Sequence, residues 1–298
     1  MLEALHLNLD GAWPGGVLGF KELDVREWGP RLRFCARRRD IEAFYRYIEP
    51  HLRPFVLYGS GDFHHLTALL LRRLSESFTL IVFDNHPDWD IRPPRWSCGG
   101  WVNRALELPR VERVIVWGCG NFELEFPSRV FAPHRRLRTG RLQIRPWAER
   151  LRRSTQRRFR CMNKSDWQDV FSGYAQELSG RRVYISIDLD CVESAITNWE
   201  SGFFTAGELQ WAIGQLCKTC RIIGGDICGA YSPPSYASWW QKLAARWDHP
   251  KLIPVELDKA IQSNRALLQV LWDALTTNTQ GTPGGSPVIA IDAISASR

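Results

Sequence analysis

Residues able to hold a divalent cation collect at four places in this 298-residue chain, each directly after a short apolar run. Asp62, His64 and His65 follow PFVLYG, and Asp84, His86 and Asp88 follow LIVF. Asp188 and Asp190 follow VYISI, and Asp226 follows RIIGG. In Asp84-Asn85-His86-Pro87-Asp88 and in Asp188-Leu189-Asp190 the candidate ligands occupy every second position. In an extended segment, alternate side chains share one face. Carboxylates and an imidazole aimed at one point of a dry cleft repel each other unless a cation neutralises them. Such a donor set suits Mn2+, with Zn2+ and Fe2+ as alternatives, and its carboxylates can bridge two ions and clamp a water between them. Taken singly, the same residues have ordinary readings. Asp84 and Asp188 could cap helices after βα turns, Asp88 and Asp90 could be solvated turn residues, and His64 and His65 could begin the next helix. Their recurrence at successive strand ends favours one shared site.

The runs that must position these residues read as strands at 4–9, 54–59, 78–84, 111–120, 181–190 and 221–227. Between them, helices are expected at 36–52, 66–77, 101–107, 166–178, 205–220 and 257–275. Thr205 followed by Glu208 has capping-box spacing. The glycine-rich stretch 278–287 reads as a loop. Continuously apolar strands alternating with helices predict a parallel sheet covered on both faces, with chemistry beyond the carboxyl ends of the strands. No linker or repeat interrupts the pattern, so one α/β domain over 1–298 is expected.

Composition narrows the function. The chain is 44% hydrophobic, which excludes wholesale disorder. No apolar run reaches the ~18–20 residues of a membrane span. The opening MLEALHLNLDGAWPGG shows no basic region followed by an apolar core. The eight cysteines are scattered; Cys217 and Cys220 form one CxxC without a partner pair and read as half-buried thiols. A reducing, cytoplasmic setting is therefore expected. The net charge of +7 is concentrated between Arg129 and Arg160, where aromatics are few, Trp147 and Phe159 among them, and no nucleic-acid motif is visible. That stretch reads as a solvated basic face, so neither nucleic acid nor membrane is expected as a partner. Trp89, Trp96 and Trp101 crowd the Asp84–Asp88 motif and suggest an aromatic wall.

Taken in order, the motifs resemble those of the arginase–deacetylase superfamily, and of its ureohydrolase branch (arginase, agmatinase, formimidoylglutamase) above all. FDNHPDWD is similar to D-A-H-x-D, and SIDLDCVES to S-x-D-x-D-x-x-D-P. GSGDFHHL resembles G-G-D-H-S-L with an insertion, GGDICGAYSP resembles D-[IVL]-x-E-x-N-P, and SCGGWVNRAL resembles S-H-G-T-x-F-R-R-A. The matches run from about residue 54 to 234. The resemblance implies a three-layer α/β/α sandwich with a mainly parallel central sheet and two Mn2+ ions. By position, Asp84 and Asp188 would bridge the ions. His86 and Asp190 would complete one, and Asp88 with a His of the pair, His64 by register, the other. The run Phe63-His64-His65 also resembles the deacetylase branch, where such a pair is catalytic, so the roles of His64 and His65 stay open.

The departures bear on substrate. The carboxylate that would grip a guanidinium falls on Gly229, the agmatinase histidine falls on Cys98, and Asp-Pro becomes Glu193-Ser194. What the resemblance implies is a binuclear hydrolase of a linear amide or amidine C–N bond, using hydroxide generated at the metals, and distinct from arginase or agmatinase. Asp190, His65 and Tyr231 are the catalytic candidates, and Cys98, Trp101, Asn103 and Asp226 the pocket candidates. The partner would be a small-molecule substrate, and this fold family commonly forms homo-oligomers. Two alternatives remain: a mononuclear deacetylase-like amidohydrolase, disfavoured by the carboxylate at Asp88, and a non-catalytic metal-binding descendant.

Overall fold

The computed structural model describes residues 3–250 and 255–279. Eight strands, β1 (Ala4–Asn8), β2 (Lys21–Asp24), β3 (Phe55–Leu57), β4 (Phe78–Phe83), β5 (Val111–Trp117), β6 (Leu142–Arg145), β7 (Arg182–Asp188) and β8 (Arg221–Cys228), form one sheet. Its order is β2-β1-β3-β8-β7-β4-β5-β6, and every pairing is parallel. The strand pleat divides the core. Ile81, Phe83, Ile115, Trp117, Ile185 and Ile187 enter one cluster, with residues of the helices Trp167–Glu177, Ala206–Thr219 and Leu257–Thr279. Leu80, Val82, Val114, Val116 and Tyr184 enter another on the opposite face, with Trp101, Val102 and Ala105 of the helix Trp101–Ala105. The result is the expected three-layer α/β/α sandwich, because a strand buried on both faces must carry apolar side chains at odd and even positions alike.

The strands that carry the candidate ligands, β3, β8, β7 and β4, are four successive neighbours at the sheet centre. Their register aligns Leu57 with Ile227, Ile187 with Phe83, and Asp188 with Cys228. The loops that leave their carboxyl ends therefore emerge side by side.

Some elements differ from the sequence reading. β2 and β6 are not predicted, and they are the two edges of the sheet. Edge strands are short and tolerate charge, which erases the apolar signal. β6 lies inside the basic stretch, and several of its arginines serve the fold instead of a solvated face. Arg136 donates to the Asn103 carbonyl, and Arg141 to the carbonyls of Leu106 and Val111. The helix expected at 66–77 is instead a succession of short turns from Gly61 to Arg73. A further helix, Trp239–Asp248, starts from a capping box of Ser238 and Gln241. The capping box of Thr205 and Glu208 forms as its spacing predicts. The loop expected over 278–287 overlaps the helix end at Thr279 and otherwise lies outside the described residues. Cys217 and Cys220 are buried free thiols.

One buried ionic network ties the loops around the site. The Arg33 Nε donates to Asp62 Oδ2 at 2.7 Å, and its Nη atoms donate to the Ser232 hydroxyl at 3.0 Å and carbonyl at 3.1 Å. The Ser232 hydroxyl donates to Asp10, which also accepts the Ser60 backbone N–H. Asp62 further meets His249 Nε2 at 2.7 Å. Although burial works the other way, His249 and Arg33 hold the Asp62 carboxyl well below the usual carboxylate range. The loops after β1, β3 and β8 thus share one cation. Removing one partner of such a buried pair leaves an uncompensated charge, so Arg33→Leu is expected to cost about 3–5 kcal/mol. Urea denaturation of the variant checks this; a loss near the ~0–1 kcal/mol typical of a surface pair would contradict it.

Candidate metal centre

Three carboxylate oxygens surround one imidazole nitrogen at the sheet's carboxyl edge. His64 Nδ1 lies 3.2 Å from Asp84 Oδ2, 3.2 Å from Asp88 Oδ2 and 3.3 Å from Asp188 Oδ2. His64 Nδ1 and Asp84 Oδ2 are buried without a hydrogen-bond partner. The other oxygen of Asp84 faces the second imidazole: His86 Nδ1 is 3.6 Å from Asp84 Oδ1 and 2.8 Å from Asp190 Oδ2. Asp84 is thus divided between two donor groups, one around His64 and one with His86 and Asp190. This is a donor set for hard to borderline divalent cations, and its orphaned, fully buried ligand atoms fit such ions.

The surroundings fix these side chains. Backbone N–H groups of His86 and Asp190 donate to Asp84 Oδ1 and Asp188 Oδ1 at 2.6 and 3.0 Å, so each strand-end Asp is held by the residue two positions on. Asp190 Oδ1 accepts the Asn85 backbone N–H at 3.1 Å. Asp88 adopts a left-handed conformation, φ 44°, and its Oδ2 accepts the Trp101 indole N–H at 2.6 Å. A backbone in that sparsely populated region is stored strain, held here at a candidate ligand. Behind His64, its Nε2 meets the Ser186 hydroxyl at 3.0 Å, and that hydroxyl donates to Asp226 at 2.8 Å. An imidazole oriented through its second nitrogen by a carboxylate relay is a common support for a metal ligand.

A narrow cleft opens onto Asp84, His86, Asp88, Asp188 and Asp190. Cys98 lines it, whereas Trp101, Asn103, Asp226, His65 and Tyr231 do not. The Trp101 ring lies 4.6 Å from that of His64, tilted by 42°. Asn103 donates to the carbonyls of Trp89 and Asp90 and so braces the loop that carries Asp88. Asp226 accepts from Thr67, Tyr58 and Ser186, one step behind His64. His65 is fully buried with both ring nitrogens unpaired, and burial pushes its pKa down to about 3. Trp89 is buried beside Phe159, and Trp96 stacks under Arg72, so the three clustered tryptophans brace the loop. The aromatic side chain facing the cleft is Trp199, its ring 5.2 Å from that of His86.

Sequence reasoning missed Trp199, Glu123 and Asp248, all of which line the cleft. None stands at a strand end, and no local spacing marks them. Burial pushes the Glu123 carboxyl well above the usual range, with Asp88 and Asp248 adding to the effect against the pull of His86. Gly229 explains one departure from the family pattern. Its φ is 100°, and a Cβ there would run into Asp188 Oδ1, so no side chain fits.

Comparison with known proteins follows the same line. No family model matches the chain. An uncharacterized protein from Thermotoga maritima is 30% identical over 204 residues, 68% of either chain. Formimidoylglutamase from Bacillus subtilis superposes with a TM-score of 0.55 at 13% identity, covering 95% of this chain and 89% of its own. Arginase from Bacillus subtilis gives 0.54 at 15% identity, with 90% and 98% covered. Proclavaminate amidino hydrolase from Streptomyces clavuligerus gives 0.51 at 12% identity, with 94% and 93% covered. The chain belongs to one family with the Thermotoga protein, and its fold is that of the arginase/ureohydrolase superfamily.

Three outcomes are expected. Asp84→Ala, which removes an oxygen from both donor groups, should abolish all divalent-ion binding, whereas Asp190→Ala should leave about one ion per chain; elemental analysis distinguishes them, and equal retention would contradict the shared role of Asp84. Gly229→Ala should lower metal content by displacing Asp188, and unchanged content would show that the backbone can yield there. The third concerns pH. In the metal-free site, burial pushes Asp88 up to about 7, helped by Asp84, and Asp190 up to about 6, helped by Asp188. The folded chain then holds two carboxyl protons that the unfolded chain has released, so these groups lower metal-free stability as pH rises from about 4 to about 7, outweighing His65, which burial keeps neutral and which acts the other way up to about 6.5. His86, raised by Asp190 and Asp84 despite burial, acts in the same direction. The Tm of metal-free protein should drop over that window, and adding metal near pH 7 should release protons to the buffer. A Tm that rises over that window would contradict the assignment.

Proposed function

We propose that this chain of the arginase/ureohydrolase superfamily is a metal-dependent hydrolase that cleaves a linear amide or amidine C–N bond in a small molecule. The observation that carries the reading is the division of Asp84 between two buried donor groups at the floor of one cleft. His64, Asp84, Asp88 and Asp188 would hold one ion, and Asp84, His86 and Asp190 the other. Two divalent ions there, Mn2+ or a related metal, would lower the pKa of water and polarise the scissile carbonyl or amidine group.

The protein's own groups would do the rest. Asp190 is oriented by the Asn85 N–H and by His86, and is placed to accept a proton from attacking water. The leaving nitrogen needs a proton in return. His65, expected as a proton shuttle, and Tyr231, expected as a donor to the oxyanion, do not line the cleft, whereas Glu123 does. Its buried carboxyl favours the protonated form, which suits a general acid. Trp199 gives the cleft one flat apolar wall, where a planar or apolar part of the substrate would rest.

Gly229 limits the substrate. A guanidinium requires a carboxylate in fork geometry. The position that would supply it accepts no side chain, because Asp188 occupies the space.

Glu123→Gln should lower kcat by about 10²–10⁴-fold on an active amide or amidine substrate, with metal content unchanged; full activity would remove Glu123 from the mechanism. Urea release from arginine or agmatine by metal-loaded protein should be negligible. Turnover of ~1 per second or faster would mark the chain as a working ureohydrolase. The reading as a whole is tested by screening linear amides and amidines with metal-loaded protein, and the absence of any turnover in a broad screen would overturn it.

A further inference from the structure

The last residue of β8 adds a donor that the Asp and His motifs do not include. Cys228 pairs in register with Asp188 across β7 and β8 and is fully buried. Its Sγ lies 3.5 Å from Asp188 Oδ2, the same oxygen that stands 3.3 Å from His64 Nδ1. The three donor atoms of His64, Asp188 and Cys228 fall within 4.8 Å of one another. His64 Nδ1 is fully buried without a hydrogen bond and has carboxylate oxygens of Asp84, Asp88 and Asp188 at 3.2–3.3 Å, so these atoms face a common point that a cation could occupy.

These separations have a simple meaning. Two neighbouring ligands on one ion at a near-tetrahedral angle, with bonds of about 2.0–2.1 Å to nitrogen or oxygen and about 2.3 Å to sulfur, stand about 3.3–3.4 Å apart for an N,O pair and about 3.5–3.6 Å for an S,O pair. The observed 3.3 and 3.5 Å match both edges. Gly229 preserves the approach. Its positive φ turns the chain away directly after Cys228, and the space a side chain would need there is filled by Asp188.

We propose that Cys228 is a sulfur ligand of the ion held by His64, so that this half of the centre is a mixed nitrogen, oxygen and sulfur site selective for Zn2+, Fe2+ or Co2+ over Mn2+. The inference rests on the metal-dependent reading above. Sulfur is the softer donor and moves preference away from Mn2+, which takes oxygen ligands. Binding displaces the thiol proton, because the thiolate is the ligand form. The two ions of the centre would then differ in chemistry, since the group of Asp84, His86 and Asp190 contains no sulfur.

The test loads the metal-free full-length protein with Co2+, counts cobalt by elemental analysis, and records the near-ultraviolet thiolate-to-cobalt charge-transfer band in the same sample. Cys228→Ser is compared with wild type, and Cys98→Ser, which alters the cleft-lining cysteine, serves as control. The expected result is a band in wild type and in Cys98→Ser that is lost in Cys228→Ser. A fall of roughly tenfold or more in Zn2+ affinity should accompany that loss, at least the effect of removing an outer-shell partner. Bound cobalt without the band, or a band that survives Cys228→Ser, overturns the sulfur ligand and leaves the metal centre standing. The opposite pattern, no cobalt bound by wild type, overturns the metal centre itself. Should Cys228→Ser fail to fold, X-ray absorption of zinc-loaded wild-type protein decides alone. A sulfur scatterer at about 2.3 Å supports the proposal, and a shell of nitrogen and oxygen only overturns it.

Discussion

Four aspartates, Asp84, Asp88, Asp188 and Asp190, are buried together at the carboxyl edge of one sheet, and that single electrostatic constraint governs the rest of the site. Isolated buried carboxylates are among the most costly groups a protein can hold. In the absence of a cation the cluster can persist only by keeping protons, which is why burial raises Asp88 and Asp190. Divalent ions relieve the same repulsion without protons. The parallel register of β3, β8, β7 and β4 forces the problem, because it delivers the ends of neighbouring strands to one place.

Contacts within the protein also shape the cleft. Arg33, itself buried, links Asp10, Asp62 and Ser232 from three separate loops. Asp62 continues the link to His249, whose ring meets Trp199 on the cleft wall edge to face, 4.5 Å between centroids. On the opposite side of His64, Ser186 and Asp226 set the imidazole orientation. Trp101 and Asn103 hold the strained loop at Asp88. Each of these groups acts on a ligand or a wall without facing the cleft, which is the usual place for the supports of a precise site.

The two Asp-rich motifs were legible from their residue types and spacing after apolar runs, but not from the extended geometry expected of them: β4 ends at Phe83, Asp88 is left-handed and Asp190 lies in a 3-10 turn. The central strands were legible for the same reason that they are central: both faces are buried, so the apolar run is unbroken. The edges β2 and β6 carry charge, and their signal was lost in Lys21–Asp24 and in the basic stretch around Arg145. Glu123, Trp199 and Asp248 reach the cleft through loops and a helix end, and only tertiary structure brings them there. Cys228 could not be singled out, since its role depends on register with Asp188 across strands far apart in the chain. Gly229 was visible as a missing carboxylate, but the backbone turn that excludes any side chain there was not.

If one buried carboxylate cluster holds two ions that share Asp84, anomalous diffraction from crystals of metal-loaded protein will locate both. Two peaks are expected, one beside His64 and one beside His86, with Asp84 between them. A single peak, or density for metal away from both histidines, would contradict the shared site.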